Sequence, residues 1–404
     1  MISKPIKVLQ VTHAFGMGGA ETWLMELLRL WSKSGEVQMD FLLTGGERGI
    51  FDDEASKLGA KLFYCRYGRD RLPQFAREFR RILKEGNYDA IHDHQDYASG
   101  WHFMMAGRHL PPVRITHVHN PAYQIRNNYG VTLGRRITAL IGKRLVGRYA
   151  THIAGTSRQV VGKYGFDEPP FHRIPRQALH CGFDPARFAG DPVAAKMSVC
   201  AEFGWPAKAK ILLFAGRTDR CPDLGHPQNH KNSGFAVQLG IKCAKRDSLI
   251  HMVLCGAPSD ATPILQARIA AAGYTGHIIS VGIRHDIERL MLASDVLLFP
   301  SRGEGLGMVA VEAQAAGLPV LASMAVPKEC VVVDGMVQFL EVSSDTSLWI
   351  CAIEEILGKG KPNAERCNVK VSESAFAIRN SASRLEELYR SSEILRDTGN
   401  GENQ

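Results

Sequence analysis

The 404-residue chain lacks several features that would place it in familiar classes of protein. It has no run of about 18 apolar residues, so no transmembrane helix is expected. Its nine cysteines include no CxxC pair, which argues against zinc and dithiol redox motifs and favours reduced thiols in a protein that is not secreted. Residues 1–5 lead directly into a charged strand start and contain no apolar signal core, so we expect a cytoplasmic protein.

Acidic residues are missing from one long segment. Between Asp96 and Asp167 there is no carboxylate, while ten arginines and lysines give the segment more positive charge than the whole chain, whose net charge is +8. A solvated face normally mixes both signs, so a block of one sign indicates an anionic partner. Nucleic acid is disfavoured because no recognisable nucleic-acid-binding motif accompanies the block.

Apolar residues interleave with these cations at roughly helical spacing. A helix of this kind can lie on a membrane surface with its apolar side in the lipid. We therefore expect residues 108–163 to bind an anionic membrane surface, which would make the protein peripheral on the inner face of the cell membrane, or a lipid-carried acceptor. The alternative is a basic helix packed on its own domain with its charges in water. The apolar positions are Tyr123, Tyr129, Leu133, Ile137, Leu140 and Ile141.

Strands and helices alternate along the chain in two successive series, the pattern of doubly wound parallel sheets in an α/β protein. The first series runs from strand 6–12 to strand 151–155, and the second from strand 210–216 to strand 319–322. Other strands are predicted at 37–43, 61–64, 90–92, 113–118, 249–255, 277–281 and 296–300, and helices near 73–85, 97–109 and 133–148.

Prolines are concentrated in residues 167–209, a stretch that should continue neither a helix nor a central strand. We place the domain junction there and predict an N-terminal domain over 1–185 and a C-terminal domain over 205–372. A final helix near 375–396 is expected to pack back on the first domain. Ligands of such sheets bind beyond the carboxyl ends of the strands, so a cleft between the two domains is expected.

The most informative stretch is 299–323, FPSRGEGLGMVAVEAQAAGLPVLAS. It predicts the end of a strand, a glycine turn, a short helix closed by Gly317 and Pro319, and another strand. Glu304 and Glu312 are eight residues apart, and eight helical residues span about 12 Å, about the distance from the ribose of a nucleotide sugar to its sugar ring. An ordinary helix and strand with two surface glutamates is the alternative.

The string E-G-x-G-x-x-x-x-E-A-x-A-x-G-x-P resembles the retaining glycosyltransferases of family four, which have the GT-B fold and use nucleotide-sugar donors. The resemblance extends from about residue 6 to 350 and is most specific in this string. It implies two Rossmann-like domains facing a cleft. It also implies that the first glutamate and the amides after it hold the donor sugar, and that the second glutamate binds the ribose. These residues are Glu304, Gly305, Leu306, Gly307, Met308 and Glu312.

The same resemblance implies two cations for the donor diphosphate, Arg217 after the first strand of the second series and Lys231 before the next helix. Fixed cations stabilise the charge of a leaving diphosphate without a metal ion. Fourteen positions separate these two residues, more than is usual in the family. The insertion 218–230 is therefore interpreted either as a loop over the donor or as a displacement of Lys231.

Three further segments end strands of the expected cleft. Gly18 and Gly19 lie in a turn whose amides could approach a phosphate, and the family places this turn beside the donor diphosphate. His119 matches a family histidine close to the donor sugar; with a near-neutral pKa it could donate a hydrogen bond to a hydroxyl. In the family, the segment that matches residues 281–286 reads the base through its backbone groups, and Arg284 is expected to stack on that base. The alternative for His119 is a structural histidine that is hydrogen-bonded to the backbone. The alternative for residues 281–286 is a plain turn between a strand and a helix.

Residues 92–96, His-Asp-His-Gln-Asp, offer several metal ligand types. We disfavour a metal because neighbouring residues of a strand point opposite ways and no third ligand segment is identifiable. A segment lining the acceptor is the preferred interpretation.

The resemblance therefore predicts a retaining, metal-independent glycosyltransferase that needs no cofactor and uses a nucleotide sugar, with a UDP-sugar as the expected donor. The chain is most similar to enzymes of bacterial exopolysaccharide assembly, whose acceptor is a saccharide or lipid-linked oligosaccharide. Two alternatives stay open, a GT-B nucleotide-sugar epimerase and a non-catalytic nucleotide-sugar-binding protein.

Overall fold

The computed structural model describes residues 4–16, 18–121, 132–343 and 345–400, with side chains up to residue 391. The chain divides into two compact units. The first comprises residues 1–183 and 378–404, and the second comprises residues 184–377. The segment 184–204 therefore belongs to the second unit. Tyr123, Tyr129 and Arg126, part of the basic segment, lie outside the described residues.

The first unit contains a seven-stranded sheet in the order β3-β2-β1-β4-β5-β6-β7, in which all paired strands are parallel. Its interior strands β1, β4 and β5 are almost entirely buried because helices cover both faces of such a sheet. The strands are β1 (Ile6–Thr12), β2 (Val37–Leu43), β3 (Leu62–Tyr64), β4 (Ala90–Asp93), β5 (Val113–Val118), β6 (His152–Gly155) and β7 (Arg176–Ala178).

Helices follow most of these strands. The described helices of the first unit are α1 (Gly19–Ser34), α2 (Asp52–Lys57), α3 (Leu72–Gly86), α4 (Ala98–Ala106), α5 (Leu133–Tyr149), α6 (Arg158–Lys163) and the C-terminal α14 (Ile378–Asn400).

Helix α14 packs against α1 although more than 340 residues separate them in the chain. The indole Nε1 of Trp23 donates to Ser381 Oγ at 3.0 Å, and that of Trp31 donates to Glu386 Oε1 at 2.6 Å. Tyr389 is fully buried. These polar contacts set the position of α14 on the first unit, because a buried indole N–H needs an acceptor.

The second unit contains a six-stranded sheet in the order β10-β9-β8-β11-β12-β13, also parallel. Its strands are β8 (Lys210–Ala215), β9 (Ile250–Cys255), β10 (Ile278–Gly282), β11 (Val296–Phe299), β12 (Val320–Ser323) and β13 (Val337–Leu340). Its helices are α7 (Pro192–Phe203), α8 (Ser233–Arg246), α9 (Ala261–Ala271), α10 (Ile287–Ala293), α11 (Met308–Ala315), α12 (Ser347–Lys359) and α13 (Ala364–Glu373).

The proline-rich stretch 167–209 is more ordered than its composition predicts. Helix α7 begins at Pro192, in the first helical position, where the missing N–H would have no helical partner anyway. Asp191 caps it by accepting from Val193 N at 2.8 Å. Strand β7 is an edge strand of three residues, the place in a sheet where nearby prolines do least damage.

No helix in the described part of the chain combines the length and the apolar composition that crossing a bilayer requires.

Candidate functional site

The order of the second sheet brings two distant loops together. Strand β8 lies between β9 and β11, so the strand order changes direction at the β8/β11 pair. Ligands of doubly wound sheets bind beyond the carboxyl ends of the strands at this switch point. The loop after β8 contains Arg217, and the loop after β11 contains Glu304, so the switch point brings two predicted donor residues to one edge.

Lys231 and Glu304 form the central contact of this edge. Lys231 Nζ lies 2.6 Å from Glu304 Oε1, and the two side chains are only 29% and 10% exposed. The sequence alone did not decide whether the insertion 218–230 leaves Lys231 at the expected donor site or displaces it. In the structure, Lys231 lies at Glu304, the carboxylate that is predicted to hold the donor sugar.

Asp219 holds Lys231 in that register. Its Oδ1 accepts from the backbone N–H of His230 at 2.7 Å and of Lys231 at 2.8 Å. Its Oδ2 accepts from the N–H and hydroxyl of Ser233 at 3.1 and 3.2 Å, at the start of α8. A carboxylate that accepts several N–H bonds ties these donors to one point. Asp219, near the start of the insertion 218–230, is therefore hydrogen-bonded to the residues at its end. The insertion lengthens the loop without moving Lys231 away from Glu304.

The loop before α8 also interlocks with the loop after β11. Arg302 N donates to His230 O at 2.7 Å, and the buried Asn232 amide lies 3.3 Å from Pro300 O. Asn232 has a φ of 60°, a left-handed conformation that asparagine tolerates better than most residues. These backbone links hold Lys231 and Glu304 side by side independently of their own ion pair.

The turn before α11 needs glycine at one position for two reasons. Gly307 has a φ of 91°, and a Cβ there would meet the Phe299 ring at 2.7 Å. Helix α11, the short helix expected after the glycine turn, begins at the next residue, Met308. The first N–H groups of a helix have no partner within it, which favours anions and hydroxyl oxygens at this end.

Glu312 on α11 has a strongly perturbed carboxyl group. Burial raises the pKa of Glu312 to about 7; Glu288 raises it further and Arg187 opposes the change. A carboxyl group with this pKa changes its charge near neutral pH. Shifts of this size are concentrated at functional sites, although structural groups show them too.

Arg217 and Arg284 differ in how they are held. Arg217 is exposed and makes no ion pair with the residues that the structure describes. Arg284 is bound on both sides, by Glu202 at 2.6 Å and by Asp286 at 2.8 Å. These contacts raise its pKa, and Arg289 joins the same network through Asp286 at 2.8 Å. Arg284 is thus held in an ion-pair network through the edge of its guanidinium group, and its stacking on the base stays a prediction.

In the first unit, the side chain of Glu21 covers one side of the glycine turn at Gly18 and Gly19. Gly18 caps α1, and a Cβ on Gly18 would lie 2.0 Å from Glu21 Oε2. The carboxyl group of Glu21 therefore folds back over the helix start that was expected to approach a phosphate, and burial raises its pKa. Apart from the chain neighbours of Gly19 and the backbone of its own helix, no heavy atom of the described residues lies within 4 Å of a Cβ position on Gly19, which leaves that side of the turn open.

The ends of β4 and β5 bring four histidines together. His92 Nε2 lies 3.1 Å from His117 Nδ1, and His94 Nδ1 lies 2.8 Å from His119 Nε2. Burial lowers the pKa of all four, that of His119 to about 4. His119 is therefore neutral at pH 7, and its predicted near-neutral pKa is wrong.

The same cluster supplies a third ligand segment that is not identifiable from the sequence. One possible ligand atom from each of His92, His94 and His117 lies within 4.8 Å of the others. Neutral imidazoles are common ligands of Zn²⁺. In this structure the His92 and His117 nitrogens bond to each other, so a metal ion would have to displace that hydrogen bond.

Three residues that shape these sites carry no motif of their own. Asp219 lies in the insertion, whereas Gln10 and Tyr389 contact the histidines from β1 and α14. Of these three, only Gln10 could have been noticed from the sequence, because it is a polar residue in the mainly apolar strand β1. A buried polar group needs hydrogen-bond partners, so its presence predicts a polar contact at that point.

Both halves of the chain match models of glycosyltransferase families. Residues 17–177 match the model described as Glycosyltransferase Family 4, and residues 209–359 match that described as Glycosyl transferases group 1.

Curated relatives agree with the family models. EpsF of Bacillus subtilis strain 168, named as a glycosyltransferase, is 28% identical over 391 residues, covering 96% of this chain and 97% of EpsF. A D-inositol 3-phosphate glycosyltransferase of Geodermatophilus obscurus is 30% identical, covering 72% of this chain and 66% of that protein.

Solved structures define the fold. HepE of Anabaena, crystallised with UDP, has a TM-score of 0.74 at 18% identity, covering 96% of this chain and all of that chain. HepE was also crystallised with UDP-glucose, and that structure has a TM-score of 0.73. The two parallel sheets and these matches define a GT-B protein. The chain belongs to the family-four, group 1 glycosyltransferases.

Proposed function

We propose that the protein is a retaining glycosyltransferase that moves a sugar from a UDP-sugar to a growing or lipid-linked saccharide. The observation that carries this proposal is the Lys231–Glu304 contact of 2.6 Å at the switch point of the second sheet. It puts a cation suited to a phosphate beside a carboxylate suited to sugar hydroxyls. HepE, which shares the fold, was crystallised with UDP and with UDP-glucose, which favours the same class of donor here.

In this proposal, residues of the second unit hold the donor. Arg217 is exposed and has no ion-pair partner among the described residues, so its guanidinium is available to a diphosphate. Lys231 supplies the second cation, and Glu304 with the amides from Gly305 to Met308 holds the sugar hydroxyls. Glu312 binds the ribose, for which its ionised form offers two acceptor oxygens.

The reaction proposed for this site needs no separate base. The bond from the anomeric carbon to the leaving diphosphate breaks while the acceptor oxygen bonds to the same face of that carbon. The acceptor's proton passes to the leaving phosphate oxygen, so atoms and charge balance. Arg217 and Lys231 stabilise the charge that develops on the diphosphate, and each such contact is worth about 100-fold or more in rate. We further propose that His119 contacts a sugar hydroxyl.

The basic segment supports an acceptor carried on lipid. Helix α5 exposes an apolar stripe with the spacing of one helix face, and Arg135, Arg136 and Arg144 are exposed around it. Two cations of the block turn inward instead: Arg114 donates to Tyr149 O, and Lys143 donates to Tyr164 O. The stripe consists of Leu133, Ile137, Leu140 and Ile141, which are 75%, 49%, 52% and 37% exposed.

We infer from this face that the protein binds an anionic membrane surface. A surface helix with apolar residues on one side and cations along its borders suits lipid tails and anionic headgroups together. EpsF, which is similar to this chain over 96% of its length, is named as a glycosyltransferase, and this name agrees with the proposed transfer of a sugar to a saccharide.

Donor and transfer can be tested in one series. The purified chain is incubated with UDP-, GDP- and ADP-sugars, with and without EDTA, and thermal shift, donor consumption and product are followed. A shift with a UDP-sugar, transfer to a saccharide acceptor in EDTA, and a product anomer matching the donor by NMR are expected. An inverted anomer would contradict retention, and loss of transfer in EDTA would contradict metal independence.

The two alternatives give different results in the same series. An epimerase converts the donor when no acceptor is present. A non-catalytic binding protein shows the thermal shift without turnover with any acceptor. Either result would replace the proposed transferase activity.

A further inference from the structure

The histidines of the first unit belong to a longer chain of hydrogen bonds that begins at one amide. Gln10 lies on β1, an interior strand of the sheet between β2 and β4, and is fully buried. Its Nε2 donates to Tyr389 Oη at 3.0 Å, and its Oε1 lies 2.9 Å from His94 Nε2. The two ends of this amide therefore face two different groups, and an amide has a donor end and an acceptor end.

The acceptor end determines where His94 and His119 carry their protons. The oxygen of Gln10 can only accept, so His94 must carry its proton on Nε2. His94 is buried, and its two ring nitrogens face Gln10 and His119, neither of which is acidic, so the ring is neutral and its Nδ1 is a lone pair. His119 Nε2 lies 2.8 Å from that lone pair and must donate to it.

The donor end leads to the other branch. Tyr389 Oη accepts from Gln10 and lies 2.8 Å from His92 Nδ1, and His92 Nε2 lies 3.1 Å from His117 Nδ1. A phenol oxygen can donate one proton and accept two, so the hydrogen bonds of this branch can run in either direction. His117 Nε2 is buried and has no partner among the described residues.

We propose that Gln10 and His94 hold His119 in the Nε2–H tautomer, so that His119 presents the lone pair of Nδ1 as a hydrogen-bond acceptor. Gln10 and His94 are positioning residues that act through His119. This inference rests on the proposed function only for what the lone pair would contact, a donating hydroxyl group of a sugar. From the sequence, His119 was expected to donate a hydrogen bond to a hydroxyl group. In this proposal, His119 Nδ1 accepts one instead.

Several observations support a fixed tautomer. Trp23 lies edge-on to His92, His94 and His117, with ring planes 84–86° apart, which leaves these rings little room to turn. The His92 and His117 rings are parallel within 6°. Among the residues that the structure describes, His119 Nδ1 has no hydrogen-bond partner, so this nitrogen is available to a ligand.

The environment also keeps the second proton off the His119 ring. The neighbouring Asp96 accepts from the backbone N–H of His119, and burial raises the pKa of Asp96 to about 7. Burial lowers the pKa of His119 to about 4, and among the described residues no carboxylate hydrogen-bonds to its ring. The His119 ring is therefore neutral and carries a single proton.

The test reads the tautomer directly and needs no substrate. Two-bond ¹H–¹⁵N correlation spectra of the full-length protein distinguish the protonated ring nitrogen from the bare one, and His119 is assigned by its loss in His119→Gln. We expect the Nε2–H form in the wild type. The Gln10→Met variant removes the acceptor at similar size and should produce both tautomers of His119.

Thr116→Val is the matched control, because Thr116 is buried on β5 and its hydroxyl has no partner among the described residues. Its His119 spectrum should equal that of the wild type. If Gln10→Met does not fold, Tyr389→Phe serves instead, since it frees the amide of Gln10 to turn. A wild-type proton on Nδ1, or an unchanged tautomer in the folded Gln10 or Tyr389 variant, overturns the proposal. Neither outcome depends on whether the chain transfers sugar.

Discussion

The ammonium group of Lys231 contacts the carboxylate of Glu304 over 2.6 Å, joining the start of α8 to the loop before α11. The two residues are 73 positions apart in the chain. Before a donor binds, each group neutralises the other in a poorly exposed place. A donor would insert a phosphate beside the lysine and a hydroxyl beside the glutamate, so the pair already has the polarity that the nucleotide sugar needs.

Removing one partner of this pair should destabilise the second unit. In Lys231→Met, Glu304 is left nearly buried without its cation, at a cost of about 1–3 kcal/mol. The double variant Lys231→Met/Glu304→Gln should regain part of that loss, because no unpaired charge remains. Urea unfolding of the four members of this cycle measures the coupling. Additive losses would show that the pair contributes nothing.

Arg217→Ala and Glu304→Ala should each abolish transfer while the fold stays intact. Arg217 is exposed and holds no other part of the fold, so its loss affects only the charge on the leaving diphosphate, by roughly 100- to 1,000-fold in rate. Arg220→Ala is the control, an exposed arginine three positions later. Circular dichroism checks the fold. Full activity in both site variants would end the glycosyltransferase assignment of this site.

Asp219→Asn should weaken donor binding although residue 219 is not proposed to contact the donor, because Asp219 holds the backbone of Lys231. The amide nitrogen of asparagine would face N–H donors at one of the two positions where the aspartate accepts, and the start of α8 would shift. We expect a several-fold rise in KM and a loss of about 2 kcal/mol in the free energy of unfolding. Asp223→Asn, in the same loop but with a 65% exposed side chain, should change neither. Equal effects of the two variants would contradict the role of Asp219.

Glu312 should make stability and donor affinity depend on pH in opposite directions. Its folded pKa of about 7 lies above the ordinary value of 4.5, so the folded state binds more protons between these values. Stability therefore falls as pH rises from about 4.5 to 7 and then levels off. The ionised form binds the ribose better, so UDP-sugar affinity should rise through pH 7.

Glu312→Gln separates this effect from other titrating groups. The unfolding free energy and the UDP-sugar Kd of this variant are measured from pH 5 to 8.5. The variant should show neither the fall in stability toward pH 7 nor the rise in affinity through pH 7 that are expected for the wild type. An intact UDP-sugar is used because the terminal phosphate of UDP itself titrates in this range. Parallel pH profiles in both proteins would refute the assignment to Glu312.

The apolar stripe of α5 should be required for binding to anionic vesicles. In flotation assays with phosphatidylcholine vesicles with or without phosphatidylglycerol, the wild type should bind the anionic vesicles, and more weakly at high salt. Ile137→Glu/Leu140→Glu should abolish binding. Ile264→Glu on α9, 44% exposed in the wild type, is the control and should not. Wild-type protein that floats with neither vesicle would exclude a membrane face.

Local patterns were sufficient for much of the architecture. Strand β1 was predicted with both ends correct, because a mainly apolar run rich in β-branched residues that stops before a glycine turn is typical of a buried strand. The end of α11 before Gly317 was also predictable, and the φ of 65° at Gly317 is the left-handed value that glycine adopts at a helix end. Strand β13 and helix α7 were missed, since an edge strand is short and a helix can begin at a proline.

The sequence by itself determined the two series of strands and helices, the glycine turn and the spacing of Glu304 and Glu312. These features depend on residues within one or two turns of each other, where periodicity and backbone preference act. Only the tertiary structure decided that Asp219 keeps Lys231 at Glu304, and that Tyr389 and Gln10 reach the histidines. Those contacts depend on which strands become neighbours in the sheet and on where α14 packs. Hydrogen bonds then act between side chains that are up to 379 positions apart.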